Sequence, residues 1–205
     1  MSTFFAVGIV LNVVLTGLAL YWLWHQRMSK TDRNDSRKIE NISGKNLHVP
    51  LPVPDKRNDF LSDHACLLIS SYRYWTGSDL IDSAQPAEEQ ARALYEAPFV
   101  VASHGTGDDP VFNYANRSAL ALFETGWTEF TSMPSRLSAE PVEREERARL
   151  LNRVNREGFI DDYNGVRITS TGRRFHIRRA TVWNIIDANK APCGQAVMFR
   201  EWEYL

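Results

Sequence analysis

Cysteine is nearly absent from this chain. Cys66 and Cys193 stand far apart and outside any CxxC spacing, which excludes a disulfide framework or a thiolate zinc site and points to a reducing compartment. Each reads as a small buried hydrophobe, with a redox-responsive thiol as the other reading. Net charge is scarce too. Lys+Arg 24 against Asp+Glu 25 leave −1, so no overall field recruits nucleic acid or an acidic substrate. Catalytic signatures are also missing. There is no HExxH, GxSxG, GxGxxG or P-loop, and the histidines (His25, His48, His64, His104, His176) are scattered, so no enzyme is expected.

The first 24 residues lack charge altogether. Residues 4–24 are apolar apart from Asn12 and Thr16, and such a run spans roughly 30 Å as a helix, the depth of a bilayer core. Tyr21, Trp22 and Trp24 gather at its end, and Arg27, Lys30, Arg33, Arg37 and Lys38 follow. That order predicts a single-pass membrane anchor over residues 1–25 with the rest of the chain facing the cytoplasm. A soluble cytoplasmic protein starting at Met28 and a cleaved targeting segment are the other readings. Residues 26–59 are polar and end in a run punctuated by Pro50, Pro52 and Pro54, which favours an extended linker.

With 205 residues, 43% apolar and 11% aromatic, the remainder suits one domain. Leu61, Ala65, Leu68, Tyr72 and Trp75 recur at helical spacing and predict a helix over 60–74, capped by Asp59 or Ser62 and stopped by Gly77. Pro86 opens a second helix to residue 96, with Glu88 and Glu89 at its positive end. Neither is long enough to stand alone. Residues 60–97 thus form a helical extension, and 98–205 the domain proper.

From Phe99 the period changes. Two short strands, 99–103 and 111–115, flank a loop rich in turn residues. Asn116 suits the cap of a helix carrying Ala119, Leu120, Leu122 and Phe123. A turn with Trp127 and Phe130 follows, then a charged helix opened by Pro141 and closed by Gly158. Strands over 162–170, 173–187 and 193–202 complete the chain, with a bulge expected near Arg179. The order predicts an α+β fold: a five-stranded antiparallel sheet with helices across one face, preceded by the two N-terminal helices.

Residues 111–124, VFNYANRSALALFE, look like the second strand of a PAS domain running into a capped helix. APFVVASHGTGDDPVFNYANRSALALFE, PSRLSAEP with REERARLL, and GFIDDYNGVRITSTGRRF resemble, in order, the motifs of the MEKHLA domain, a PAS-like family. The likeness runs from about Leu67 to Trp202. The family occurs at the C-terminus of plant homeodomain-leucine-zipper proteins and as short stand-alone proteins. It implies sensing of redox state, light or a small ligand, and control of dimerisation. No homeodomain or zipper pattern is present here, so DNA binding does not carry over. No kinase, cyclase or DNA-binding segment follows the domain, so a signal is expected to pass to a separate protein. The flavin-binding members carry a reactive cysteine in an NCRFL-type motif that this sequence lacks, and residues 141–157 hold no histidine for haem. The cofactor is left unassigned.

A pocket, if present, is expected between the sheet and the short helices. His104, Asn113, Trp127, Phe130, Arg136 and Trp183 are the candidates, each also readable as packing. His104 beside Asp108 and Asp109 reads as a metal or acid–base site or as a loop histidine bonded to turn backbone. Asp161-Asp162 point to opposite faces of a strand and cannot share a proton. Arg173-Arg174 reads as a solvated hairpin tip or a phosphate site. Two functions compete: a membrane-tethered sensor with a small-molecule ligand, and a homodimerisation or docking domain with a filled core. For the second, Leu61, Leu68 and Tyr72 form the face, and Leu68→Asp is expected to leave monomers.

Overall fold

The structure is a computed structural model that describes residues 51–140 and 144–205. The expected anchor, most of the expected linker and the start of the charged helix at Pro141 lie outside the described residues. The expected single-pass membrane location is corrected: among the described residues no helix is long and apolar enough to cross a membrane.

The chain enters through a 3-10 turn, Lys56–Leu61, capped by Asp55, whose side chain accepts from the Arg57 N–H at 2.7 Å while its own N–H donates to Asn58 Oδ1 at 2.9 Å. Asp59, Phe60 and Leu61 then adopt left-handed backbone, a conformation that costs any residue with a Cβ. Helix α1, Ser62–Thr76, follows with Leu61 as its N-cap and no side-chain cap bond, so neither Asp59 nor Ser62 caps it. Gly77 ends it at φ 70, its N–H donating to Arg73 O. Helix α2, Ala87–Glu96, buries Ala91, Leu94 and Tyr95.

Strands β1, Val100–His104, and β2, Phe112–Ala115, make the first hairpin. Three short helical pieces follow: α3, Arg117–Phe123, α4, Trp127–Phe130, and a 3-10 turn, Ser135–Ser138. Helix α5, Arg144–Glu157, leads into β3, Phe159–Ile168, β4, Arg174–Ile186, β5, Pro192–Phe199, and β6, Glu201–Tyr204. All pairings are antiparallel, in the order β2-β1-β5-β4-β3, and β6 carries the β5 register onward along the first half of β4. The bulge falls where the sequence places it. Arg179 has φ 48, the β3–β4 register shifts at Tyr163 opposite Ala180, and Asn164 Oδ1 accepts the Arg179 N–H at 3.2 Å.

Alternation along the strands sorts side chains into two cores. Val100, Ala102, Val182 and Phe199 pack with Phe112, Phe123, Phe130 and Val154 on the inner face, under α3, α4 and α5. Val101, Tyr114, Trp183, Ile185 and Ala196 pack with α1 and α2 on the outer face. Helices therefore cover both faces, not one. A single hydroxyl locks α1 to β4. Pro192, opposite Ile186, has no N–H to give the ladder, and Ser71 Oγ donates to Ile186 O at 3.3 Å while accepting its N–H at 3.0 Å. Trp75 Nε1 adds a bond to Asn184 O at 2.8 Å.

This packing corrects the face expected between copies. Leu68 is fully buried and Tyr72 is 9% exposed within one chain, while Leu61 is half-buried against the same core. The apolar stripe that suggests a dimer contact is the stripe that closes the outer core. The cysteines also differ from expectation: Cys66 is half-buried and Cys193 exposed. Partial burial, followed by the charge of Asp187, pushes the Cys193 thiol up, away from the thiolate form a redox sensor needs.

Candidate ligand site

A partly open cavity of about 60 Å³ lies on the inner face, lined by β1, β3, β4 and β5 below and by α5, the Ser135–Ser138 turn, Phe112 and Phe123 around it. Phe112, Phe123, Ile177, Val182 and Phe199 supply its large apolar side chains together with Leu150 and Leu151. Five polar side chains interrupt that lining: His104, Ser138, Tyr163, Arg167 and Gln195. Three of the five have their places set by the backbone. Gln195 pairs with both His104 and Asn184 across neighbouring strands, so these three form one polar row on the inner face. Ser138 Oγ donates to Ser135 O at 2.7 Å.

The polar row holds α5. Gln195 Nε2 lies within hydrogen-bond distance of Asn155 Oδ1 (2.9 Å), Asn184 Oδ1 (3.0 Å) and Leu151 O (3.3 Å). Asn184 Nδ2 donates to Val154 O at 2.9 Å. These bonds satisfy carbonyls in the last turns of α5, so two amides serve as a latch between helix and sheet. Gly158, at φ 89, turns the chain from α5 into β3, and a Cβ there would sit 2.3 Å from the Trp75 ring. Beyond the latch lies an open cleft of about 430 Å³ between the β1–β2 loop and α5. His104, Leu151 and Gln195 line both spaces.

Arg167 enters from β3. It pairs with Phe175 and so points to the inner face. It is 7% exposed. Its guanidinium lies 5.2 Å from the centroid of the Tyr163 ring, and Nη1 donates to Val166 O at 2.7 Å. The Tyr163 ring in turn covers Gly165, where a Cβ would meet the phenol oxygen. No carboxylate among the described residues pairs with Arg167. A buried cation without a counter-charge is costly, by several kcal/mol in general.

The outer core holds a second polar group of residues. Tyr114, Ser103, Ala196 and Trp183 stand in one row across β2, β1, β5 and β4. His64 on α1 stacks on Tyr114 at 5.5 Å and reaches Ser103 Oγ at 3.2 Å. Burial lowers His64 to about 4, so it is neutral at physiological pH. Burial also pushes the Tyr114 phenol far above its ordinary range. The Tyr114 hydroxyl and Trp183 Nε1 are buried with no hydrogen-bond partner among the described residues.

The expected pocket residues divide between these places. His104 lines the cavity, and Arg136 lines the outer cleft, bonded to Asp109 at 2.9 Å. Phe130 stacks on Phe112 at 4.2 Å in the inner core. Trp183 and Trp127 belong to the outer core, where Trp127 Nε1 donates to Leu51 O at 2.7 Å. Asn113 accepts from Ser103 Oγ at 2.6 Å at the bulge in the first hairpin. His104 Nδ1 lies 2.8 Å from Gly105 O, the turn-backbone bond that the loop reading anticipates. No group of His, Cys, Asp and Glu among the described residues is arranged to hold a metal. At the other hairpin, Arg174 pairs with Glu140 at 3.1 Å and Arg173 lies over the Tyr204 ring. Arg167, Asn184, Gln195 and His64 were not singled out from the sequence. The signal for Asn184 was a lone amide in the mostly apolar second half of β4, and for Arg167 a cation in strand alternation with the buried face.

Five antiparallel strands in the order 2-1-5-4-3, with the helices between the second and third closing a cavity on the inner face, make this an α+β domain of the PAS type. The MEKHLA domain matches residues 62–204. The chain belongs to the MEKHLA domain family. It is 24% identical over 136 residues to the homeobox-leucine zipper protein HOX32 of Oryza sativa subsp. japonica, covering 66% of this chain and 16% of that protein. It is 26% identical over 143 residues to HOX29 of Oryza sativa subsp. indica, covering 67% and 16%. The matched region thus spans about a sixth of these plant relatives. Among solved structures, it is similar to the PAS domain of a Colwellia psychrerythraea protein, with TM-score 0.48 and 14% identity over 56% of this chain and 94% of that one. It is also similar to an RNA-binding light-oxygen-voltage receptor, with TM-score 0.47 and 16% identity over 60% and 35%.

Proposed function

We propose that this chain is a non-enzymatic sensory module. A small molecule occupies the inner cavity, and α5, latched across it, carries the change to a partner protein or to a second copy. The observation that carries this reading is the shared wall. His104, Leu151 and Gln195 line both the cavity and the cleft outside it, so a molecule passing between them moves past α5 and its latch. Such a ligand shifts the position of α5 by as much as its affinity differs between latched and unlatched forms. Support for a non-catalytic role comes from the cavity's polar set, one histidine, one serine, one tyrosine, one arginine and one glutamine, which holds no carboxylate to serve as a base. In this reading residues 60–97 are the support that fills the outer face, and 98–205 the sensing domain.

A docking domain without a ligand is the second reading. Its support is the size of the cavity, about 60 Å³, against roughly 300–1,000 Å³ for pockets that take drug-sized molecules.

Ala102 lines the cavity from β1 and is 2% exposed. Ala102→Val adds two methyl groups there, on a strand position that favours β-branching. The expected result is a folded protein, unchanged or up to about 1.5 kcal/mol more stable. The small-molecule fraction of a cell extract should raise the Tm of the unsubstituted full chain and not of the variant. Equal shifts in both would place binding elsewhere. No shift in either, with a sedimentation mass of twice the chain, would favour docking.

A further inference from the structure

We propose that the ligand of the inner cavity is a small monocarboxylate, its carboxylate held by Arg167 and its hydrocarbon part against the aromatic wall. This rests on the reading of the cavity as a ligand site and names the chemistry of its occupant.

The charge balance comes first. Arg167 is 7% exposed and lines the cavity. The other polar groups of the lining, His104, Ser138, Tyr163 and Gln195, include no carboxylate. Buried charges are ordinarily paired, and none of the described carboxylates is paired with this one. The missing partner is one negative charge.

Geometry narrows the class. Nη1 is committed to Val166 O at 2.7 Å and one face of the guanidinium to the Tyr163 ring at 5.2 Å. The Nε–Nη2 edge bonds to no protein group among the described residues, and that edge offers two parallel N–H donors. Two parallel donors match the two oxygens of a carboxylate. A phosphate dianion would bring more charge than one arginine balances and more acceptors than the aromatic wall can satisfy. Size sets the last limit. At roughly 10–15 Å³ for each water-sized group, the 60 Å³ cavity takes about four to six non-hydrogen atoms. A carboxylate with a two- to four-carbon chain is of that size.

The test uses the full chain with butyrate and its neutral isostere butyramide as probes, with inorganic phosphate as a third. Calorimetric titration should show saturable binding of butyrate, with butyramide weaker by roughly tenfold or more. Arg167→Gln should abolish the preference, and Arg167→Lys should keep part of it through charge alone. The Arg167 Nε–H resonance of the unsubstituted chain should shift with butyrate and not with butyramide, a readout that needs no variant to fold. If butyramide binds as tightly as butyrate, or Arg167→Gln leaves butyrate affinity unchanged, the carboxylate proposal is overturned while the cavity remains a ligand site. Preference for phosphate overturns the carboxylate class in the same way. If no probe binds and the purified chain carries no small molecule, both the proposal and the sensory reading fail.

Discussion

At the scale of single residues, the molecule's energetics concentrate where polar groups meet the two cores. Asn116 is fully buried, and its side chain accepts from the Val101 and Ala119 N–H groups at 3.0 Å each while donating to Phe99 O at 2.6 Å. One side chain therefore fixes the start of α3, the entry to β1 and the exit from α2. The sequence shows only its role as a cap, because the other partners lie 15 and 17 residues away. His64 is the residue whose titration matters most. Its folded value of about 4 lies below the ordinary 6.5, so between those values the unfolded chain binds the proton that the folded chain refuses. Stability is then full above pH 6.5 and falls as the pH drops toward 4, by at most about 3 kcal/mol. Denaturant unfolding at steps across this range should show that loss, and His64→Gln should flatten it. An equally steep fall in the variant would assign the effect to other groups. The carboxyls of Asp55 and Glu124 are held below their usual range by hydrogen bonds from Arg57 and Thr171.

Among the elements, α5 is the one that the proposed sensor moves. Among its described side chains Val154 is fully buried and Leu150 and Leu151 half-buried, and the amides of Asn184 and Gln195 add to its hold on the sheet. Helices with little buried apolar surface open before the global transition. Gln195→Ala should raise amide exchange in α5 by roughly tenfold, the loss of one to two net hydrogen bonds, while β4 and β5 keep their protection. Exchange raised equally across the sheet would mean that the latch is part of the core and not a hinge. The contrast with α1 is instructive. Both helices show an apolar stripe, and periodicity alone could not say whether the stripe of α1 meets the sheet or another copy. Ser71 and Trp75, bonding to Ile186 and Asn184, decide it, and those bonds join residues more than a hundred positions apart. The left-handed run at Asp59, Phe60 and Leu61 was equally hidden, since only Asp59 is of a type enriched at positive φ and the two residues after it are not.

For the whole molecule, the succession of strands and helices along the chain, the capped helix after β2, the glycine stops at Gly77 and Gly158 and the bulge at Arg179 were legible because each rests on a local rule of backbone chemistry. The coverage of both sheet faces was not, since alternation reveals two faces without saying which elements cover them. The cavity was less legible still. Residues chosen for aromatic character, such as Trp127 and Trp183, fill the outer core, while the polar groups that define the inner site come from four separate segments. The account as a whole stands on that inner cavity being occupied when the protein functions. Native mass spectrometry of the full chain, purified without denaturation, measures this directly. One small-molecule mass should accompany the unsubstituted chain, leave on denaturation, and be absent from Ala102→Val. A bare chain mass for both proteins would contradict it.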